Sequence, residues 1–409
     1  MISPNLERGI QLFEIGRYSQ AIKFLQDALT ENIDSFNAKY YLSQCFFQND
    51  DVEKALNLAL ELRVDSPNSE DIYFLLSQIY LHKNNESEAI ESIDKAIEIH
   101  PFNENFFGQK AYIYLFQKKF EEALKYANEG LKIDAKNNFC LNARTTALTK
   151  LNRKKEAKSS IEFLLQDNPE DAHSHANVGW SSLEHNNTEK ALIHFKEALI
   201  LNPNIEYARN GMVTAIKSKN KIYNLYLQYA FWISNKSDKN QWFFIIGLYL
   251  AYRFSVKILS ASGLTYLAIP LIILYLLFAL GSWIMDPLSN MLLMFDKHGK
   301  YLLDKQEKLS GQIFFALLIA SLLMFMISLI IKVDYFTMLS LTFLAVILPL
   351  TRAFLTNHKK SKIINLIYGS SMVLIAIVCS LLSYSIGSIG LAIGVMFIGY
   401  TWLGSLILK

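Results

Sequence analysis

Four of the eight histidines, His173, His175, His185 and His194, fall in one short stretch, and imidazoles gathered so closely could hold zinc. Their spacing argues otherwise. Residues two apart on a helix point to different sides, which separates His173 from His175, and the other two are expected on a turn and on the next helix. They read as surface or groove side chains. Cys45, Cys140 and Cys379 lie far apart with no CxxC spacing, so neither a disulfide framework nor a zinc site is expected, and packing thiols are. In the C-terminal half, Ser370 and Ser371 follow Gly369, but no histidine lies in any apolar segment to serve as a base, and neither paired aspartates nor HExxH appear in that half. Arg253 and Lys257 are the only ionisable residues inside the apolar segments. The expectation is a protein that is not an enzyme and uses no cofactor or metal.

The elements that carry these residues are set by a fixed period. Ala21, Ala55, Ala89, Ala123, Ala157 and Ala191 recur every 34 residues, and twelve residues before each stands a small residue: Gly9, Ser43, Ser77, Ala111, Thr145 and Gly179. Small residues in two facing columns allow two helices to approach closely. Four residues after the alanines come Leu25, Ala59, Ile93, Ala127, Ile161 and Phe195, and three further on Ala28, Leu62, Ala96, Gly130, Leu164 and Ala198, an apolar stripe of helical spacing. Pro67, Pro101, Pro169 and Pro203 then end the second helix of their units. The period predicts six helix-turn-helix units at about 2–35, 36–69, 70–103, 104–137, 138–171 and 172–205, stacked as a solenoid.

These columns resemble the tetratricopeptide repeat (TPR), most closely in EEALKYANEGLKIDAKN and EKALIHFKEALILNPN. The resemblance covers residues 2–205. It departs at Ile33 and Ala135, where the exit proline would stand, and at Arg8, Lys110 and Arg144, where an aliphatic is usual. Family geometry implies that the first helices line a concave groove. It would present Asn37, Tyr40, Gln44, Phe47, Asp71, Phe74, Gln78, Leu81, Asn105, Tyr112, Phe139, Asn142, Thr146, His173 and Trp180. Aromatics offer rigid contact area and amides one donor and one acceptor for the backbone of an extended peptide. The same aromatics would also serve to pack neighbouring repeats, and both roles stay open here. None of these positions is Lys or Arg, so a clamp for a terminal carboxylate is not expected.

Charge divides the chain. Residues 1–240 carry a net −4 and residues 241–409 a net +7. The acidic half offers no footprint for nucleic acid. The basic half is apolar, with candidate membrane spans at about 242–260, 263–285, 311–331, 335–351, 363–384 and 387–408. Lysines 297, 300, 305 and 308 in the second connection, and Arg352, Lys359, Lys360 and Lys362 in the fourth, place those connections in the cytoplasm. A cytoplasmic solenoid then requires the interrupted first segment to cross, with Arg253 and Lys257 snorkelling. No apolar run of signal-peptide length follows the start of MISPNLERGIQLFEIG, consistent with both termini lying inside a bacterial inner membrane.

The expected architecture is all-α. It comprises a TPR solenoid over 1–205, capping or interfacial helices over 206–240 and a bundle of about six spans over 241–409. Helices are expected at Glu206 to Lys217 and at the aromatic stretch Ile222 to Ile233. The long connection from Asp286 to Ser310 is expected along the lipid surface or on the solenoid's end, guided by Leu288, Met291, Leu292, Met294 and Phe295. Gly390 and Gly394 form a GxxxG suited to close helix packing within the bundle or across a homo-oligomer. The functional expectation is a membrane-anchored scaffold that recruits a protein or extended peptide through its groove; the alternative is a transporter or channel regulated by its repeats.

Overall fold

The computed structural model describes residues 3–236, 238–295, 303–356, 358–382 and 386–407, and every regular element among them is an α-helix. In the first half the helices come as six hairpins: α1 (Pro4–Glu14) with α2 (Tyr18–Glu31), α3 (Phe36–Gln48) with α4 (Val52–Asp65), α5 (Glu70–His82) with α6 (Glu86–Ile99), α7 (Glu104–Phe116) with α8 (Phe120–Ile133), α9 (Asn138–Lys150) with α10 (Lys154–Asp167), and α11 (Ala172–Glu184) with α12 (Thr188–Leu201). Short polar residues start the first helices. Ser35, Asn137 and Asp171 accept hydrogen bonds from the free amides of Ala38, Cys140 and Ser174, replacing the partners a first helical turn lacks.

The close approach anticipated from the small residues is present. All six column alanines are at most 1% exposed. A Cβ added to Gly9 would lie 2.7 Å from Leu25, and one on Gly179 would lie 2.6 Å from Phe195. Where serine occupies the facing column, Ser43 donates its hydroxyl to the Ala55 carbonyl at 2.7 Å, so the polar atom is satisfied inside the hairpin.

The turn joining the two helices repeats as strictly, at positions the sequence columns do not single out. Gly16, Asp50, Asn84, Lys118, Asn152 and Asn186 all adopt left-handed backbone, with φ between 57° and 73°. Around Asp50, its own amide bonds to the Phe47 carbonyl at 3.1 Å and the Asp51 amide to the Phe46 carbonyl at 2.9 Å, closing the end of α3. Glycine, asparagine and aspartate tolerate this conformation. Lysine does not.

Two further helices, α13 (Glu206–Lys217) and α14 (Lys221–Ser234), occupy the two expected stretches and keep the helix-pair spacing although the alanine column has ended. The chain divides into two compact units: residues 1–212 with 235–237, and residues 213–234 with 238–409. Within the second, the aromatic face of α14 packs on apolar helices: Tyr229 lies 5.5 Å edge-on from Phe278, and Trp232 5.0 Å from Phe244.

The second unit also contains α15 (Asp238–Ala261), α16 (Thr265–Phe295), α17 (Lys305–Ile331), α18 (Asp334–Leu355), α19 (Lys359–Leu381) and α20 (Ile386–Ile407). Among the described residues four segments, Asn240–Ala261, Lys305–Ile331, Asp334–Leu355 and Lys359–Cys379, are long and apolar enough to cross a membrane, with mean hydropathies of 1.5, 2.8, 1.9 and 1.9. Gly387–Thr401 is a shorter apolar helix. The expected span 263–285 is helical from Thr265, within α16.

Two expectations are corrected. The connection from Asp286 does not begin as a separate surface segment: α16 runs through Pro287 to Phe295, and Leu288, Met291 and Leu292 pack with Phe314 and Ile347 of α17 and α18. The apolar spacing of Ile284 continues without a break into Leu288 and Met291, so the helix continues with it. Lys297 and Lys300 of that connection lie outside the described residues. Secondly, α18 extends past the predicted end at 351, which places Arg352 inside a helix of the bundle.

Lys118 yields the first test. Replacing it by asparagine or glycine should raise stability by about 1 kcal/mol, the cost of left-handed backbone for a residue with an ordinary Cβ. A calorimetric melting temperature that stays level or falls would contradict this account of the turn.

Candidate functional site

The expected groove residues sit on the first helices of the second to sixth hairpins, where the caps and turns fix their rotation. Asn37, Asp71 and His173 are exposed, while Tyr40, Gln44, Phe47, Phe74, Gln78, Leu81, Asn105, Tyr112, Phe139, Thr146 and Trp180 are half-buried. Asn142 is different. It is only 5% exposed, and its amide is fully engaged: Nδ2 donates to the Asn138 carbonyl at 2.9 Å and to Ser174 Oγ at 3.0 Å, and Oδ1 accepts from Asn177 Nδ2 at 2.8 Å.

The structure joins several of these residues across neighbouring repeats. Tyr112 stacks on Phe139 with centroids 4.8 Å apart and planes 14° apart, and the Tyr112 hydroxyl hydrogen-bonds to Asn177. Burial pushes the Tyr112 phenol up to about 12 despite that bond. Asn105 Oδ1 accepts from Asn137 Nδ2 at 3.0 Å. Phe74 tilts against Phe106 at 5.4 Å, and Trp180 meets Phe195 at 5.6 Å and Tyr207 at 5.7 Å, with its Nε1–H directed at the Tyr207 carbonyl. Packing between repeats, one of the two roles left open for the aromatics, is therefore realised in α5, α7, α9 and α11. In α3, Tyr40 lies parallel to Phe36 of its own helix at 5.9 Å and hydrogen-bonds to Gln44.

Asn177, Asn137 and Tyr207 were not among the expected positions. Asn177 joins Tyr112 to Asn142 although it occupies no repeating column; only its place on the same helix as His173 and Trp180 hinted at it. A cleft of about 690 Å³ also lies away from every expected position, between Tyr73 and Tyr80 of α5 and Glu88, Asp94 and Lys95 of α6.

The residues with chemical potential are placed as follows. Burial pushes the thiols of Cys45 and Cys140 up to about 12, so neither is a thiolate at neutral pH. Contrary to the expected separation of the histidines, His175 and His194 meet: their Nδ1 atoms lie 3.2 Å apart, and His175 Nε2 lies 2.9 Å from the Pro169 carbonyl. A carbonyl can only accept, so His175 carries a proton on Nε2. Among the described residues no three His, Cys, Asp or Glu side chains converge to hold a metal ion.

Comparison with known families fits the repeat geometry. Models of the tetratricopeptide repeat match residues 12–79, 70–103 and 105–137. Among solved structures, a tetratricopeptide repeat protein from Parabacteroides merdae is similar at 16% identity, over 52% of this chain and 83% of that one, with a TM-score of 0.47. The APC/C hetero-tetramer Cut9–Hcn1 matches at 16% identity over 52% of this chain, which spans only 42% of the length of that one, with a TM-score of 0.45. PilF of Pseudomonas aeruginosa matches at 15% identity over 50% of this chain and 94% of that one, with a TM-score of 0.40. No curated protein is significantly similar to the chain.

The histidine contact predicts acid sensitivity. Burial first, then His175 and Lys190, lower the His194 pKa to about 4 from 6.5. The unfolded chain therefore binds a proton between those values that the folded chain refuses. Stability from this site is complete above 6.5 and is lost as pH falls toward 4, by about 1–2 kcal/mol once solvent screening of the partly exposed ring is allowed for. Calorimetry of wild type and His194→Leu over this range should show a shallower pH dependence in the variant; identical slopes would refute the assignment.

Proposed function

We propose that this chain, whose residues 12–137 are tetratricopeptide repeats, is a membrane-anchored scaffold that recruits a cytoplasmic protein or extended peptide through the first-helix face of its repeat array. TPR proteins mediate protein–protein interaction and are typically not catalytic, and this fold supports the same role here. In this reading residues 1–205 form the array, 206–240 are capping or interfacial helices, and 241–409 hold the chain to the inner membrane with both termini in the cytoplasm. The excess of lysine and arginine in the connections supports that orientation.

The observation that carries the proposal is the half-exposed row on α3 and α5. Tyr40, Gln44, Phe47, Phe74 and Gln78 keep accessible surface, flanked by exposed Asn37 and Asp71, while the alanine faces behind them are closed. Accessible aromatics beside amides suit a peptide backbone, since the rings give contact area at low entropy cost and the amides pair with both N–H and C=O. Further along, the equivalent groups are spent on one another, as with Asn142 and Asn177. Occupancy is therefore assigned to the second and third hairpins, with His173 and Trp180 at the margin.

A transporter or channel regulated by its repeats is the second reading, and Arg352 within the bundle is what favours it. Association of two copies through Gly390 and Gly394 is compatible with either.

Cross-linking in native membranes with the full chain tests the scaffold. Tyr40→Ala combined with Gln78→Ala should reduce recovery of the specific partner about tenfold or more, the loss of one to two contact hot spots, with the melting temperature confirming an intact array. Unchanged recovery, or a repeat array found on the far side of the membrane, would sink the proposal.

A further inference from the structure

The bundle contains an apolar cavity of about 590 Å³ between α16, α17, α18 and α20. Its wall includes Leu280, Ile284, Met338, Leu348, Gly394 and Phe397. The GxxxG glycines are not pressed against a neighbouring helix: a Cβ on Gly394 would meet nothing within 4 Å, and one on Gly390 only the end of Met338, at 3.6 Å. On α18 the lining runs from Met338 to Leu348, which at 1.5 Å per residue is about 15 Å. That is one leaflet of a hydrocarbon core about 30 Å thick.

One helical turn beyond the lining lies a cation. Arg352 follows Leu348 on α18, Trp283 precedes Ile284 on α16, and Tyr400 follows Phe397 on α20, so all three stand at the same end of the cavity. The Arg352 guanidinium carbon sits 5.0 Å from the centre of the Trp283 ring, and its side chain hydrogen-bonds to Tyr400. Its Nη1 is buried without a hydrogen-bond partner among the described residues. Lys359 and Lys360, exposed at the start of α19, add positive charge just after this helix end.

We infer that this cavity holds one anionic phospholipid, with an acyl chain along the apolar wall and the headgroup phosphate on Arg352. This rests on reading residues 241–409 as membrane-embedded. A guanidinium with a free N–H is a fork donor for phosphate. An aromatic ring beside it is at home at the headgroup level. The basic connection puts this end toward the cytoplasm, where the leaflet carries the anionic lipids. Charge and chain length thus select the same occupant. A zwitterionic lipid would fill the cavity equally well but would bring a second cation to Arg352.

Native mass spectrometry of the detergent-purified full chain, titrated with phosphatidylglycerol or phosphatidylcholine, decides the matter. Wild type should retain one phosphatidylglycerol with about tenfold preference over phosphatidylcholine, a difference of about 1.4 kcal/mol. Arg352→Gln should abolish the preference while leaving a monodisperse, helical protein; Gly394→Leu should prevent retention of either lipid. Should Arg352→Gln fail to fold, the wild-type preference alone is decisive. Equal retention of the two lipids by wild type overturns the inference, as does a preference that survives Arg352→Gln. A wild-type dimer that Gly394→Leu dissociates would mean a second copy fills the cavity, and would overturn it too. Alkaline extraction separates this from the membrane reading: release of the chain into the supernatant refutes the embedding itself, whereas a chain that stays in the pellet but shows no lipid preference refutes only the site.

Discussion

Close approach of two helices at a pair of small residues is the constraint on which the repeat array depends. The six column alanines have no room for a larger group, and the glycines facing Leu25 and Phe195 have none for even a methyl. Overpacking such a contact costs about 1–3 kcal/mol and moves backbone. The contact also fixes where each helix can turn, because the second helix must present its alanine at the level of the small residue on the first. Turn, cap and exit then follow at constant spacing. The left-handed residue that recurs from Gly16 to Asn186 is a consequence of that geometry.

With the hairpin interiors closed, the repeats differ in how they hold to each other. From Leu6 to Ile79 the array is knit by one apolar cluster with aromatic flanks, including Tyr40, Tyr41 and Phe47. From the fourth repeat onward polar pairs join the apolar contacts: Asn105 with Asn137, Asn142 with Asn177, and Thr149 with Ser181 at 2.7 Å. Buried polar pairs of this kind are satisfied internally and resist exchange for an outside partner, since breaking one strands its mate. Apolar flanks carry no such obligation. Under the proposed scaffold role, the accessible aromatic face of the early repeats is for this reason the part of the array with most to gain from a ligand.

The period, the hairpins and the closed alanine faces were legible because they are local: each is set by residues within one repeat. The turn column was hidden by its chemistry. Glycine, aspartate, asparagine and lysine share no side-chain property, only a backbone angle that a hydropathy pattern does not record. The His175–His194 contact was hidden by distance, since facing positions on two helices of a hairpin depend on helix rotation. Hydropathy also ended α18 too early. Arg352 breaks an apolar run in sequence, yet helices end at caps and not at charges, and a guanidinium can be carried inside when its neighbours supply acceptors and a ring.

Whether those neighbours suffice is a question of counting donors. Arg352 brings five N–H groups. Tyr400 accepts from it and passes its own proton to Asn365 Oδ1 at 2.7 Å, and Asn365 Nδ2 donates in turn to the Ser361 carbonyl at 3.0 Å. Every bond in this series runs outward from the cation, so α18, α20 and α19 are tied at one level by dipoles of consistent direction. The Trp283 face adds an attraction from α16 but no lone pair. The series therefore stabilises the charge without exhausting its donors, and among the described residues Nη1 is buried without a partner. A buried cation in that state is strongly disfavoured unless an anion or its equivalent comes within reach. Three of the helices around the cation, α16, α18 and α20, also wall the apolar space beside it, and a tightly packed bundle would have had no reason to leave that space.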